Sequence, residues 1–286
     1  MTVTPLEEQP STANVTRVLR ESARWVLLAG LVGAVAGLAA SIVVPPRWTA
    51  KLTVQIGQVA MANTNGAPVK LSLENQLTAA ERVNQPNFRL DVIKALGLPQ
   101  PDTGSKKADL AFDSLRASAE RSPDLITLQA ASYSKEEALE IVDTAFKGLS
   151  ATHRKLFEQS TETTQQELTR AQNNLSAADE EYRNAANALK SGYTGNGATA
   201  AGARDVLVSN TVSLLRAQVS DLHQQVNAYR DALSPVQSYP TRAVAPAYVP
   251  ERPSTPSRTV WVLGGVVIGL LVGAALALLR DTLKSA

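Results

Sequence analysis

The stretch "VAPAYVPERPSTPSRTVWVLGGVVIGLLVG", from Val244 to Gly273, joins two kinds of chain with different physical needs. Its first half is rich in proline, which fixes the backbone angle φ and favours an extended path. Its second half is apolar and carries glycines four residues apart. The prolines are Pro246, Pro250, Pro253 and Pro256, and the glycines are Gly265, Gly269 and Gly273. The junction predicts an extended segment that leads directly into a membrane helix.

The chain of 286 residues has two long uncharged runs, one near each end, at residues 25–44 and 259–279. A helix needs about 20 apolar residues to cross the ~30 Å hydrocarbon core of a bilayer, and both runs reach that length. We predict two transmembrane helices, with cytoplasmic tails at residues 1–24 and 280–286 and one domain between the spans on the other side.

A cleaved signal peptide is the alternative for the first run, but its apolar region is longer than the usual 7 to 15 residues. Charge does not fix the topology, because Lys and Arg near the spans number five on each side. The chain has no cysteine, which fits an oxidising compartment. Its net charge of +2 and the lack of any basic block argue against a nucleic-acid partner.

A small α/β base is predicted at residues 45–134. "RWTAKLTVQIGQV" alternates in the manner of a strand, whereas "MANTNGAPVK" contains turn residues and is predicted to be a loop. Two short helices follow, at residues 73–82 and 87–96. "SLRASAER" and "DLITLQAAS" then predict a β-hairpin.

Residues 135–234 predict a long helix, a glycine-rich turn at 191–203 and a return helix. Ser134 is a suitable N-cap, and no proline occurs from there to Lys190. Both helices carry apolar residues at alternating steps of three and four, which is the pattern of a coiled-coil seam. The main seam positions are Leu168, Leu175, Tyr182 and Leu189 on the first helix and Leu215, Leu222 and Tyr229 on the second, with alanines and valines between them.

The two seams predict an antiparallel hairpin, although a seam does not say which chain supplies its partner, so pairing between subunits is the alternative. The first helix is about 80 Å long and the second about 46 Å at ~1.5 Å per residue. The segment at residues 235–258 is predicted to be proline-rich and extended. We expect its part from Pro235 to about Pro253 to cross the difference, because eighteen residues of polyproline II reach roughly 56 Å. The predicted fold class is an α+β membrane protein.

Residues that carry chemistry are few. The two histidines, His153 and His223, lie on the predicted helices without an acidic residue three or four positions away, so both are predicted to be solvated or packing residues. The acidic run at residues 179–181 is typical of a solvated helix face. No phosphate-binding glycine loop occurs. We predict no catalytic residue, no cofactor and no metal, and hence a protein that holds or measures something.

The order of these features resembles the Wzz-type polysaccharide co-polymerases, the bacterial chain-length determinant family. The most specific part is the opening stretch, because that family has spaced prolines, Ser-Pro-Lys and then glycines four apart. Here the sequence departs from the pattern, with Thr-Pro-Ser-Arg from Thr255 to Arg258 in place of Ser-Pro-Lys.

The resemblance implies an inner-membrane protein with its main domain in the periplasm and no enzymatic activity. It also implies a homo-oligomeric ring of about eight subunits. Together with a Wzy-type polymerase, this ring would set the length of O-antigen, capsule or exopolysaccharide chains. The growing polysaccharide is a further expected partner. Three alternatives stay open: an adaptor of a capsule ABC exporter, the membrane half of a split tyrosine kinase, and a two-span sensor.

The glycines of the second span lie on one side of a helix, because they are spaced by four. We expect them to permit close helix contact, either with Gly30, Gly33 and Gly37 of the first span or with the polymerase. Otherwise they are simply tolerated, as glycine commonly is in membrane helices.

Overall fold

The computed structural model describes residues 23–192 and 201–285. Two compact units form within this part, one from residues 23–49 and 250–285, the other from Ala50–Val249. The predicted α+β class with two apolar terminal helices is confirmed. The elements in chain order are α1 (Ala23–Val43), β1 (Trp48–Gln55), β2 (Gln58–Met61), β3 (Val69–Ser72), α2 (Gln76–Asn84), α3 (Pro86–Ala95), α4 (Lys106–Ser114), β4 (Arg116–Ala119), β5 (Leu125–Ser132), α5 (Lys135–Gly192), α6 (Ala201–Ala232), β6 (Arg242–Ala243) and α7 (Arg258–Ser285).

The first unit consists mainly of α1 and α7. Both are long and apolar enough to cross a membrane, over Ala23–Val43 and Arg258–Arg280. Most of their large apolar side chains are exposed, as is usual for helices that face lipid. The lengths of these two helices fit a two-pass membrane topology.

The second unit is built on a four-stranded sheet in the order β4-β5-β1-β6. The N–H of Ile56 donates to the carbonyl of Asp124, which places the end of β1 beside the start of β5, so these neighbours run antiparallel. Alternate residues of β1 and β5 point into the core, including Leu52, Val54 and Leu128. Apolar side chains of α2, α3, α4 and the first part of α5 complete that core.

The sheet region differs from the prediction in two places. Part of the predicted loop forms a second hairpin, in which β2 and β3 pair from Gln58 opposite Ser72 to Met61 opposite Val69. These strands are only four residues long, too short for alternation to stand out from turn residues. The helix α4 was also missed; Ser105 caps it by accepting from the N–H of Ala108, and Ala108 and Ala111 are buried on one face of its nine residues.

The helix α5 serves two purposes along its 58 residues. Ser134 caps it, with its hydroxyl accepting from the N–H of Glu137 at 3.1 Å. Ile141, Val142 and Leu149, in its first quarter, lie in the core of the sheet. Only the later part pairs with α6. We predicted that the proline-rich segment makes up for the shorter return helix. The length difference instead arises because the first part of α5 packs against the sheet.

The return segment after α6 was predicted to be an extended polyproline II chain, and part of it instead pairs with β1 as a strand. The backbones of Tyr239 and Gln58 exchange two hydrogen bonds at 2.9 Å, as do those of Tyr248 and Lys51 at 2.8 and 2.9 Å. Between them, β6 pairs with β1. The segment is the edge strand of the sheet, where proline is tolerated because an outward-facing N–H is not needed.

The seams of α5 and α6 pack against each other within the chain. Leu168 and Val226 are buried together with Ala171, while Leu175, Tyr229 and Leu233 pack around them. The core of the predicted glycine-rich turn, residues 193–200, and most of the predicted N-terminal tail lie outside the described residues.

Candidate functional site

The predicted site residues are surfaces of contact rather than chemistry-bearing clusters. Within residues 23–191 and 206–280, whose side chains are described, no group of three or more His, Cys, Asp and Glu residues is arranged to hold a metal ion. The predicted residues lie in three places: the glycine contact, the return segment and the hairpin.

The glycine contact joins α1 to α7. A methyl group added at Gly33 would strike the carbonyl of Gly265, and one added at Gly265 would strike the carbonyl of Gly33. Likewise, Gly37 faces the carbonyl of Trp261, and Gly269 faces that of Ala29. The two backbones touch along this line, which requires residues without a Cβ.

Two further glycines flank that contact. A Cβ at Gly30 would lie 2.9 Å from the side chain of Leu270, and one at Gly273 would lie 2.7 Å from the Cβ of Ala29. By contrast, a Cβ at Gly264 would meet nothing within 4 Å. The structure thus places all six predicted glycines between the two spans of one chain, and Gly264 outside the contact.

The predicted proline motif is divided between the two units. Pro246 lies in the edge strand, between Val244 and Tyr248, whose N–H groups donate to β1. Pro250, Pro253 and Pro256 belong to the first unit, where the backbone of Ser254 donates to the carbonyl of Arg47 at 2.7 Å. The prolines therefore lie close in sequence to residues whose backbone hydrogen bonds hold the segment in place.

Of the predicted seam residues, Leu168, Leu175 and Tyr229 lie in the cluster between α5 and α6. Leu168 is 7% exposed. The remaining six are partly buried: Leu175, Tyr182, Leu189, Leu215, Leu222 and Tyr229.

Sequence reasoning missed one polar cluster in the second unit. His153, on α5, is 1% exposed. Its Nε2 lies 2.9 Å from Oε2 of Glu74, and its Nδ1 lies 2.7 Å from the hydroxyl of Thr241. Arg82 donates to the same carboxylate. His223, in contrast, is exposed on α6. The cluster ties the long helix to the segment before α2 and to the return strand.

The charge state of Glu74 follows from its partners. Burial would raise the pKa of this carboxyl, but the hydrogen bonds and charges of Arg82 and His153 outweigh burial and hold the pKa below its ordinary value. An ionised Glu74 accepts from Nε2–H of His153. The other ring nitrogen of His153 shares a hydrogen bond with the hydroxyl of Thr241, which also accepts from the N–H of Gly57 at 2.8 Å. Each buried polar group in this series of hydrogen bonds has a partner, so the cluster serves to hold the fold together.

No local pattern could have revealed this cluster, because Glu74 and His153 are 79 residues apart in the chain. The return segment passes very close to Gly57, because a Cβ at this glycine would lie 2.5 Å from the backbone nitrogen of Thr241.

Comparison with known proteins gives a match to a family and matches to solved structures, among them two polysaccharide co-polymerases. Residues 13–96 match the family Wzz, described as chain length determinant protein. No curated protein matches the sequence. A full-length bacterial polysaccharide co-polymerase is 12% identical, with 96% of this chain and 99% of that chain covered and a TM-score of 0.42. A mutant of the Shigella flexneri lipopolysaccharide O-antigen chain-length regulator WzzBSF is 10% identical, with 73% and 100% covered and a TM-score of 0.21.

The resemblance to the chain-length determinants is confirmed over residues 13–96, which run from the chain before α1 to the end of α3. The proline and glycine stretch that suggested the family lies outside the matched residues.

Proposed function

We propose that this protein is a membrane-anchored, non-enzymatic regulator of the length of a bacterial surface polysaccharide. The observation that carries the proposal is the match of residues 13–96 to the chain length determinant family. The architecture supports it, since two apolar helices flank a domain made of an α/β base and a helical hairpin.

In the finer version of the proposal, the helices span the inner membrane and the second unit lies in the periplasm. About eight copies form a ring, which acts with a Wzy-type polymerase on O-antigen, capsule or exopolysaccharide. Because the six glycines are occupied by contact between α1 and α7, the polymerase would bind the outward faces of this helix pair, where large apolar residues such as Leu31 and Leu271 are exposed.

Deletion of the gene tests the proposal directly. The expected result is surface polysaccharide in normal amount that has lost its preferred length, with recovery on complementation. Polysaccharide trapped inside the cell would instead identify an exporter adaptor. An unchanged length profile in the deletion strain would refute the proposed function.

A further inference from the structure

The four-stranded sheet has one face packed against helices and one face that presents side chains to solvent. We define the outer sheet face by the side chains that point away from the core. Its polar members are partly or fully exposed: Lys51, Thr53, Gln55, Arg116, Ser118, Thr127, Gln129, Arg242 and Tyr248. The apolar side chains of Leu125, Ala131 and Val244 lie on the same face. The face therefore combines many hydrogen-bonding groups with a few apolar side chains.

Strand pairing arranges these side chains in rows across the sheet. Arg116 lies opposite Gln129, and Ser118 lies opposite Thr127. Residues directly opposite each other in an antiparallel pair share a face. On the far side of β1, Gln55 lies opposite Arg242 and Lys51 opposite Tyr248. The neighbours of Tyr248 in sequence pack against the core, which confirms that its ring points outward.

The charges on this face have one sign. Lys51, Arg116 and Arg242 are its cations, and its strand positions carry no carboxylate. None of the three forms an ion pair with a residue whose side chain is described. The carboxylates closest in sequence to the cations of β4 and to β5 belong to Asp113, at the end of α4, and to Glu120 and Asp124, in the turn between β4 and β5. Burial and then the charge of Asp124 raise the pKa of Tyr239, so this carboxylate lies near the Arg242 end of the face. The face is therefore complementary to an anionic ligand.

Arg242 is held in position for such a ligand. Its Nε donates to Oε1 of Gln55 at 3.1 Å, and its guanidinium lies 4.8 Å from the centre of the Tyr239 ring. The amide of Gln55 donates in turn to the hydroxyl of Tyr239 at 3.0 Å. The terminal nitrogens of Arg242 have no hydrogen-bond partner in the described part of the chain. A planar guanidinium with free terminal donors suits a carboxylate, which it can bind through two hydrogen bonds.

The uncharged groups favour a sugar. Hydroxyl and amide side chains both donate and accept, as sugar hydroxyls require. Tyr248, which is 65% exposed, offers a flat apolar ring with a polar end. A membrane surface is a poorer fit, because segments that bind anionic lipids typically carry four to eight clustered Lys or Arg residues. Here three cations are spaced among hydroxyls and amides.

We propose that the outer sheet face binds an acidic polysaccharide, whose carboxylates pair with Lys51, Arg116 and Arg242 while its hydroxyls bond to the threonine, serine and glutamine side chains. The inference rests on the proposed function and names its substrate class, a polymer that contains uronic acid or similar acidic sugars.

The test measures binding of fluorescent oligogalacturonate to the full-length protein in nanodiscs of phosphatidylcholine. The triple variant Lys51→Gln, Arg116→Gln, Arg242→Gln is compared with a matched variant, Lys70→Gln, Lys147→Gln, Lys155→Gln, which removes the same charge from exposed positions elsewhere. We expect saturable binding to the wild type, weakened about tenfold or more in the first variant and by less than about twofold in the second. Uncharged dextran should bind far more weakly than oligogalacturonate.

A third variant, Lys51→Arg, Arg116→Lys, Arg242→Lys, keeps the charges and should retain most of the binding, which separates loss of charge from loss of fold. Equal weakening in the first two variants would overturn the proposal. Lack of saturable binding of oligogalacturonate to the wild type would also overturn it. The same holds if the three cations affect only the binding of vesicles that contain anionic lipid. If gene deletion alters polysaccharide length but the wild type does not bind oligogalacturonate, this inference fails while the proposed function stands.

Discussion

The side chain of Asn84 makes both hydrogen bonds that a fifth strand would make with Ala117. Its Oδ1 accepts from the N–H of Ala117 and its Nδ2 donates to the carbonyl of the same residue, both at 2.9 Å. Ala117 is in β4, at one end of the sheet order, and Asn84 ends α2. An amide side chain thus closes a sheet edge that would otherwise expose pairing groups to other chains.

Replacing Asn84 with alanine should lower the free energy of unfolding by about 1–3 kcal/mol, because it leaves partly buried backbone groups unpaired. Chemical unfolding followed by circular dichroism measures the change. Asn174→Ala, at an exposed position on α5, is the control and should be as stable as the wild type or slightly more so. Equal stability of both variants would show that Asn84 does not support the edge.

Acid should weaken the second unit through Glu74. The folded-state pKa of this carboxyl lies below its reference value of 4.5, so its ionised form stabilises the fold above that pH and the contribution is lost as the pH falls further. Glu74→Gln should therefore be less stable than the wild type at neutral pH and lose less stability between pH 4.5 and more acidic conditions. The measurement is the unfolding free energy as a function of pH.

Thr241→Val provides the contrast for that experiment. It removes the hydroxyl that bonds His153 and Gly57 but keeps the carboxylate of Glu74. We expect lower stability than the wild type at every pH and a wild-type dependence on acid. If Glu74→Gln loses as much stability in acid as the wild type, another group is responsible for the dependence.

Adjacent glycines of α7 should respond differently to enlargement. Gly265→Leu would push the two spans apart, because its added atoms collide with the backbone of Gly33, whereas Gly264→Leu projects into open space. Spin labels introduced by Leu38→Cys and Val260→Cys in this cysteine-free chain report the separation. The distance should increase with Gly265→Leu and stay constant with Gly264→Leu.

The same two variants connect the contact to function. With normal protein levels, Gly265→Leu should broaden the distribution of polysaccharide lengths and Gly264→Leu should not. Normal lengths in both strains would mean that the glycine contact has no part in length control.

The hairpin seam should depend on Leu168. Leu168→Ala removes a side chain that is 7% exposed and packs with Val226, so we expect a loss of about 2–3 kcal/mol. Leu156→Ala is the matched control, because Leu156 lies on the same helix but is 45% exposed and should cost less than about 1 kcal/mol. Hydrogen exchange over α5 and α6 would show whether the loss is local to the hairpin. A similar cost for both substitutions would contradict the role of the seam.

Local patterns in the sequence were sufficient for features that depend on nearby residues. The apolar runs predicted α1 and α7, Ser134 predicted the start of α5, and alternation predicted β1 and β5, because capping, helix periodicity and strand alternation are set within a few residues. The strands β2 and β3 escaped because their four residues lie beside turn-forming residues, and α4 was missed although α2, which has the same length, was predicted.

Which distant segments meet became clear only from the packed fold. Local patterns were enough to predict two spans with glycines at four-residue spacing and two seams on one pair of helices. They were not enough to predict that Gly33 faces Gly265 within one chain, that His153 bonds Glu74, or that the proline-rich return becomes the edge strand beside β1. These contacts join residues far apart in the chain, and each depends on the packing of the whole unit, so no periodicity or spacing in the sequence encodes them.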